Sequence, residues 1–307
     1  MRVERVSAPT LQVVELDIGD ELVFVRSDGS RQTIVVEKSW AGVHSTTLKE
    51  PRKAAFGAHT VLRAHLQLAI DGVSVQQVRW IGCDRSFADP CRVAGLNIWF
   101  DANTDLFEHL NEDHGSCRPR KRVRLAVWEE GRRLCPMLLH PWCALPEDGL
   151  RISDCYDGDD CWLGPYFGAD AHGGLDINHP AGTTLYAPLA LHRHRWFDHI
   201  TKGANNNRWR GECDWPDGGM WALQSHHLIE LLAPEGPIAA GMPYATTAGM
   251  LTGSYEHSHF VWAVRAPGES DEIRLDPWLL FRQMLIDRRA LVAPRRNGVI
   301  TRTEPPL

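Results

Sequence analysis

The sequence predicts a mainly β protein, with an N-terminal β-sandwich-like domain over residues 1–145, an antiparallel β-sheet domain over 146–290 that closes on a helix, and a tail at 291–307. Three observations carry this expectation. Short runs rich in β-branched and aromatic residues, separated by turn signals, fill the chain to about residue 130. A stretch rich in proline, glycine and acid, 135–161, interrupts them. Beyond it, further strand-like runs lead to one amphipathic helical segment.

In chain order, the first strands are "LQVVELDI", "ELVFVRS", "RQTIVVEKS", "TVLRAHLQLAI", "VSVQQVRWIG", "LNIWFDA" and "KRVRLAVWEEG". Alternation is plain where Val61, Arg63 and His65 interleave with Leu62, Ala64 and Leu66. Turns fall at Ser27-Asp28-Gly29 and Asp71-Gly72. Seven such runs without a helical period suggest a sandwich or a related all-β module. No histidine–carboxylate cluster of ligand spacing occurs before residue 150, so this domain is expected to lack a metal and to position or cover a groove elsewhere. The segment "LLHPWCALPEDGLRISDCYDGDDC" marks the domain boundary. In the second domain "GMWALQSHHLIELLAP" and "YEHSHFVWAVR" have strand character, and "DPWLLFRQMLIDRRALV" is the helix.

Composition excludes several classes. At 307 residues, 43% hydrophobic and 23% charged, the chain is that of a folded soluble protein. A net charge of −6 and a pI near 6.2 give no global attraction to nucleic acid or to anionic membranes, so neither is expected as a partner. No apolar run approaches the roughly 20 residues of a spanning helix. The start "MRVERVSAPTLQVVELDIGDE" shows no apolar signal-peptide core, so an exported protein would have lost its signal or use another. The eight cysteines contain no CxxC pair, which argues against zinc ribbons and thioredoxin-like sites. Cys155 and Cys161 are the local candidates for a disulfide, with two unpaired thiols as the alternative.

The histidines carry the chemistry. In "HGGLD", His172 and Asp176 stand four residues apart around two glycines, an arrangement that can aim both side chains at one point. His257 and His259 are separated by one residue on a strand and share a face. In "WALQSHHLIELL", strict alternation puts Trp221, Leu223, Ser225, His227, Ile229 and Leu231 on one face and His226 on the other, so at most one of the pair should join a given site.

Together "HGGLDINHPAGTTLYAP", "SHHLIELLAPEGPIAAGMPYATTAG" and "EHSHFVWAVR" resemble the three successive motifs of the lysostaphin and LytM-type zinc metallopeptidases, a family of peptidoglycan endopeptidases, over about residues 160–280. "LDPWLLF" is similar to that family's closing segment. The resemblance implies one zinc ion held by His172, Asp176 and His259, with His227 and His257 as the catalytic histidines that do not bind metal. It implies hydrolysis of peptide bonds in stem peptides or cross-links of bacterial cell wall, and an extracytoplasmic location. The alternative is a noncatalytic binding or regulatory protein on the same scaffold, which recognises cell wall or activates another wall hydrolase. Such relatives usually lose ligands, and all five positions are filled here. Two imidazoles and one carboxylate would leave zinc a residual positive charge and an open position.

The chain departs from the family pattern in places. Ser254, Tyr255 and Glu256 replace small residues before HxH, His179 replaces a small residue after the aspartate, and "LHRHRWFDHITKGANNNRWRGECDWPDGG" stands where the family has a simpler hairpin and can wall the groove. Three rival constellations read differently. His192, His194 and His199 have the wrong spacing for a metallo-β-lactamase-like site and read as a strand rim. "DCYDGDDC" lacks the full pattern and closing glutamate of an EF-hand loop and reads as a solvated turn. The basic "RPRKRVR" alternates as an ordinary strand does.

Overall fold

A computed structural model of the protein describes residues 1–112, 117–201, 204–248, 257–291, 295–296 and 299–300. Ser254, Tyr255 and Glu256 and most of the expected tail lie outside the described residues. The chain is mainly β, with one α-helix among the described residues. It divides into two compact units, Met1–Cys135 with Asp157–Gly173, and Pro136–Tyr156 with Gly174–Leu307. The chain thus passes between units three times, where the change of composition suggested a single boundary.

The first unit holds two sheets. One is formed by β1 (Arg2–Val6), β3 (Glu21–Val25), β4 (Arg31–Thr46), β5 (Thr60–Ile70) and β6 (Val73–Ile81), in the order β1-β3-β4-β5-β6. The other is β2 (Gln12–Leu16), β9 (Val123–Glu129), β8 (Leu96–Asn103) and β7 (Cys91–Val93), in that spatial order. Pairing is antiparallel except between β1 and β3. Between the sheets Asn103 Nδ2 donates to Ser39 Oγ at 2.8 Å, and the buried Arg79 guanidinium lies 4.1 Å over the Trp99 ring. A short hairpin, β10 (Pro165–Tyr166) with β11 (Asp170–Ala171), belongs to this unit because its segment is tied there. Thr60 Oγ1 donates to the Gly168 carbonyl at 2.8 Å, Ala55 N–H to Phe167 at 3.0 Å, and Gly82 N–H to Cys161 Sγ at 3.4 Å.

The basic run, which alternates as an ordinary strand does, is neutralised within the same unit. Arg124 is buried against Glu15 at 2.9 Å and Asp101 at 3.5 Å, Lys121 meets Asp20 at 2.6 Å, and Arg122 meets Asp105 at 2.6 Å.

The second unit is built on a nine-stranded antiparallel sheet. Its strands are β12 (Leu175–Asn178), β13 (Thr184–Tyr186), β14 (Leu191–Phe197), β17 (Asn207–Asp214), β18 (Met220–Leu231), β19 (Gly236–Ile238), β20 (Pro243–Thr247), β21 (His257–Arg265) and β22 (Ile273–Leu275). The main path runs β12-β21-β18-β17-β14-β19. The inserted segment supplies β14, β17 and a small hairpin, β15 (Ile200–Thr201) with β16 (Ala204–Asn205).

One face of this sheet is the core. Trp221, Leu223 and Ser225 from β18 and Phe260 and Trp262 from β21 turn inward and are buried. Helix α1 (Trp278–Leu291) covers them, with Phe281 at 5.2 Å from Phe260, centroid to centroid. The helix starts where it does because Asp276 Oδ1 accepts from Trp278 N–H at 2.8 Å. Tyr244 ties the core together: its hydroxyl accepts from Trp142 Nε1 at 2.7 Å, lies 2.8 Å from Ser225 Oγ, and its ring stacks on Trp209 at 3.8 Å. The opposite face of the same strands carries Asp176, Gln224, His226 and His259.

Candidate metal centre

Antiparallel pairing aligns the predicted ligands. Asp176 on β12 sits directly opposite His259 on β21, and Asn178 opposite His257, so the two alternating histidines face a carboxylate rather than solvent. Asp176 Oδ1 lies 2.8 Å from His259 Nδ1, and Oδ2 lies 3.4 Å from His257 Nε2. All three residues are buried.

His172 is four residues from Asp176 along the chain, so its approach to the carboxylate is a local property of the motif. It too is buried, and its Nδ1–H donates to the Cys161 carbonyl at 3.2 Å, which leaves Nε2 as the lone-pair donor. One ligand atom from each of His172, Asp176 and His259 falls within 4.8 Å of the others, and this is the one such group among the described residues.

The donor set fits a metal ion. Two imidazoles and one carboxylate converge with one donor atom each within 4.8 Å of the others, the donor types a zinc ion takes. In the same cluster His226 Nε2 and His257 Nδ1 are buried without a hydrogen-bond partner among the described residues, as polar groups stand when a site is organised for something other than the protein.

Steric crowding accounts for the glycine at 174 inside HxGxD. A Cβ there would lie 2.4 Å from the Phe260 carbonyl oxygen and 2.6 Å from His259 Cε1. The backbone of the motif runs flush against the third ligand, and a side chain would wedge them apart.

The histidine pair behaves differently from the alternation expected of it. His226 lies directly opposite His259, with ring centroids 4.8 Å apart, and His227 has its ring 4.6 Å from that of His257 and 6.3 Å from that of His259. Both members therefore reach the cluster. The cause is local: His227 has a φ of 63°, a left-handed conformation, and the pairing with β20 shifts register between Leu228 and Glu230. After this irregularity Leu228 is buried and Ile229 is exposed, which corrects the single face assigned to Ser225, His227 and Ile229. Burial, then the neighbouring His259 and His227, then Arg208, hold His226 well below the ordinary histidine range, so it is neutral.

Two further residues shape the cluster. Tyr156 stacks on His257 with centroids 4.0 Å apart and planes inclined by 21°. The preceding Cys155 carbonyl accepts from Asn178 Nδ2 at 3.0 Å, so the cross-strand neighbour of His257 also anchors the tyrosine's backbone. His179 is held by Ser258, whose Oγ lies 2.9 Å from Nε2, and burial foremost pushes its pKa down to about 4. Its neutral ring fills the position where a small residue was expected.

The rival constellations do not gather. His192 is exposed near Asp214, at 3.4 Å, His194 is buried and accepts from Trp209 Nε1 at 3.0 Å, and His199 is exposed. Cys155 and Cys161 are both buried, form no disulfide with each other, and fall in different units. In the acidic turn between them Asp159 and Asp160 are buried rather than solvated.

No family model and no curated protein matches the chain. Among solved structures it is similar to the catalytic domain of the antimicrobial peptidase lysostaphin from Staphylococcus simulans, at 18% identity over 36% of this chain and 80% of that one, with a TM-score of 0.29. The chain spans 44% of the longer lysostaphin chain solved by NMR. It is similar over more of its length to a putative peptidase M23 from Pseudomonas aeruginosa, at 15% identity, 90% and 94% coverage and a TM-score of 0.32. A zinc-containing peptidase from Vibrio cholerae gives 12% identity, 87% and 85% coverage and a TM-score of 0.33. Of these, one is a lysostaphin catalytic domain and one a putative M23 peptidase, and the three motifs resemble the lysostaphin type.

Proposed function

We propose that the second unit is a zinc-dependent metalloendopeptidase that cuts peptide bonds in bacterial peptidoglycan, outside the cytoplasm. The observation that carries this reading is the buried set of two imidazoles and one carboxylate, with the rings of His226 and His227 4.8 and 6.3 Å from that of His259. A structural role would need only satisfied side chains, and this cluster holds more basic nitrogens than its hydrogen bonds use.

His172, Asp176 and His259 would hold the ion. When bound, zinc supplies Lewis acidity, polarising a carbonyl and bringing the pKa of water down to about 7. The remaining work belongs to the chain. His227 and His257 are placed side by side to take a proton and to hydrogen-bond the developing oxyanion. Asp176 reaches His257 as well as His259, so one carboxylate orients a ligand and a proton carrier together. Tyr156, stacked on His257, fixes that ring's plane.

Digestion of purified sacculi with and without a chelator, with products identified by mass spectrometry, tests the proposal. New amino termini that vanish with the chelator are expected. Release of reducing sugars would refute the peptidase assignment, and sacculi that are bound but left intact would favour a noncatalytic binding protein. No helix among the described residues is long and apolar enough to cross a membrane.

A further inference from the structure

The face that carries the histidines continues into a depression of about 310 Å³ whose lining includes Phe197, Asp198, Arg208, Trp209, Arg210 and Gln224. Gln224 lies two residues before His226 on β18 and therefore shares its face, while Arg210 sits directly opposite Gln224 on β17. Arg208, two residues before Arg210, shares that face in turn, opposite Phe197 on β14. The depression and the metal ligands are thus one surface, separated by two strand spacings from His259, or about 10 Å. An extended peptide covers that distance in about three residues.

The two arginines differ in their charge balance. Arg210 Nε meets Glu212 Oε1 at 2.7 Å and Nη2 meets Glu272 Oε1 at 2.5 Å; Glu212 also pairs with Arg193, so Arg193 and Arg210 balance the two acids. Arg208 is exposed and makes no hydrogen bond or ion pair among the described residues. The acid on the same wall, Asp198, accepts from Trp196 Nε1 at 2.7 Å.

We propose that this depression is a substrate subsite in which Arg208 receives a single carboxylate of the peptide chain, about three residues from the bond that is cut. The assignment rests on the peptidase reading for the position of that bond. One uncompensated guanidinium matches one carboxylate, with the fork geometry to hold both oxygens. Asp198 on the same wall disfavours groups of higher negative charge, such as a phosphate monoester. The exposed Phe197 opposite Arg208 offers an apolar surface for the methylenes that carry the acid.

The test uses the full-length protein and a series of otherwise identical alanine–glycine peptides in which a single glutamate or glutamine is stepped along the sequence. Binding is followed by tryptophan fluorescence, since Trp209 lines the depression and Trp196 bonds Asp198, and cleavage is followed separately. At one position the glutamate peptide is expected to bind about tenfold more tightly than its glutamine twin, the scale of one charge-assisted bond at an exposed site. Arg208→Gln should abolish that preference and Arg208→Lys should keep part of it. No preference at any position, or one that survives in Arg208→Gln, overturns the subsite. Preferential binding without cleavage of either peptide would instead overturn the peptidase reading and leave the subsite standing.

Discussion

Replacing Gly174 by alanine perturbs the centre through one added carbon whose surroundings are known. The new Cβ would lie 2.4 Å from the Phe260 carbonyl oxygen and 2.6 and 2.8 Å from His259 Cε1 and Nε2, against normal contacts of roughly 3.5 Å. Each contact is therefore about 0.7–1.1 Å too short. The carbonyl belongs to β21, directly opposite Leu175, and the imidazole is held 2.8 Å from Asp176, so neither retreats alone. Strand and motif must separate by most of an ångström, a distortion on the scale of overpacking, about 1–3 kcal/mol. For a unit of this size that lowers Tm by roughly 3–10 °C. Because the displaced ring is a proposed ligand, zinc affinity should fall further, about 10–100-fold, as when a ligand's supporting contacts are removed. Thermal melting by circular dichroism and competition with a chromogenic chelator measure the two effects. Gly42→Ala on β4 is the control, since nothing lies within 4 Å of a Cβ there. A Gly174→Ala protein with wild-type Tm and zinc affinity would refute the claim that the glycine holds motif and ligand in contact.

Further substitutions separate the roles assigned to the cluster. Asp176→Ala removes the one anionic donor and should abolish stoichiometric zinc by metal analysis, whereas His227→Ala and His257→Ala should retain zinc and lose turnover by about 10²–10⁴-fold. Zinc lost from His257→Ala but kept in His259→Ala would reverse the assignment within that pair. Tyr156→Ala should lower turnover roughly three- to tenfold, the worth of one aromatic stack, and Tyr156→Phe should restore it; a Phe variant as poor as Ala would mean that the hydroxyl itself acts. Burial holds the Cys143 thiol up at about 12, above its ordinary 9.0, so at pH 8 a thiol reagent should label the half-buried Cys83 and Cys91 long before it. Because the folded pKa is raised, the stability this thiol contributes is complete below pH 9 and drains away towards pH 12, which denaturant titrations at both ends of that window measure.

Much of the centre was legible because its signals are short-range. His172 and Asp176 are four residues apart, and the alternation of His257 and His259 needs only a strand to become a shared face. The mainly β character and the closing helix follow from local preference in the same way. What remained hidden depends on long-range pairing. Strict alternation admitted at most one of His226 and His227, and the left-handed backbone at His227 brings the second ring to the cluster beside the first. Tyr156 is 101 positions from His257 in sequence (257 − 156), and its stacking has no local signature. Arg208 reads as one basic residue among several; it stands apart because the acids that would have paired it, Glu212 and Glu272, are engaged by Arg210. The segment Asp157–Gly173 looked like a continuation of the second domain because its composition carries no mark of the bonds it makes to Thr60 and Gly82.

A pleated strand has a reading frame of two, and the doubled histidine of β18 is its frameshift. Ahead of it the inward letters are Trp221, Leu223 and Ser225; behind it the first is Leu228. Deleting either histidine would restore an unbroken frame from Trp221 to Leu228 while keeping every other residue. Such a strand would be more regular and would present one imidazole where two now stand. The irregular strand therefore encodes, in a single extra residue, a doubling of what this edge of the cluster can hold, and selection for regularity alone would erase it.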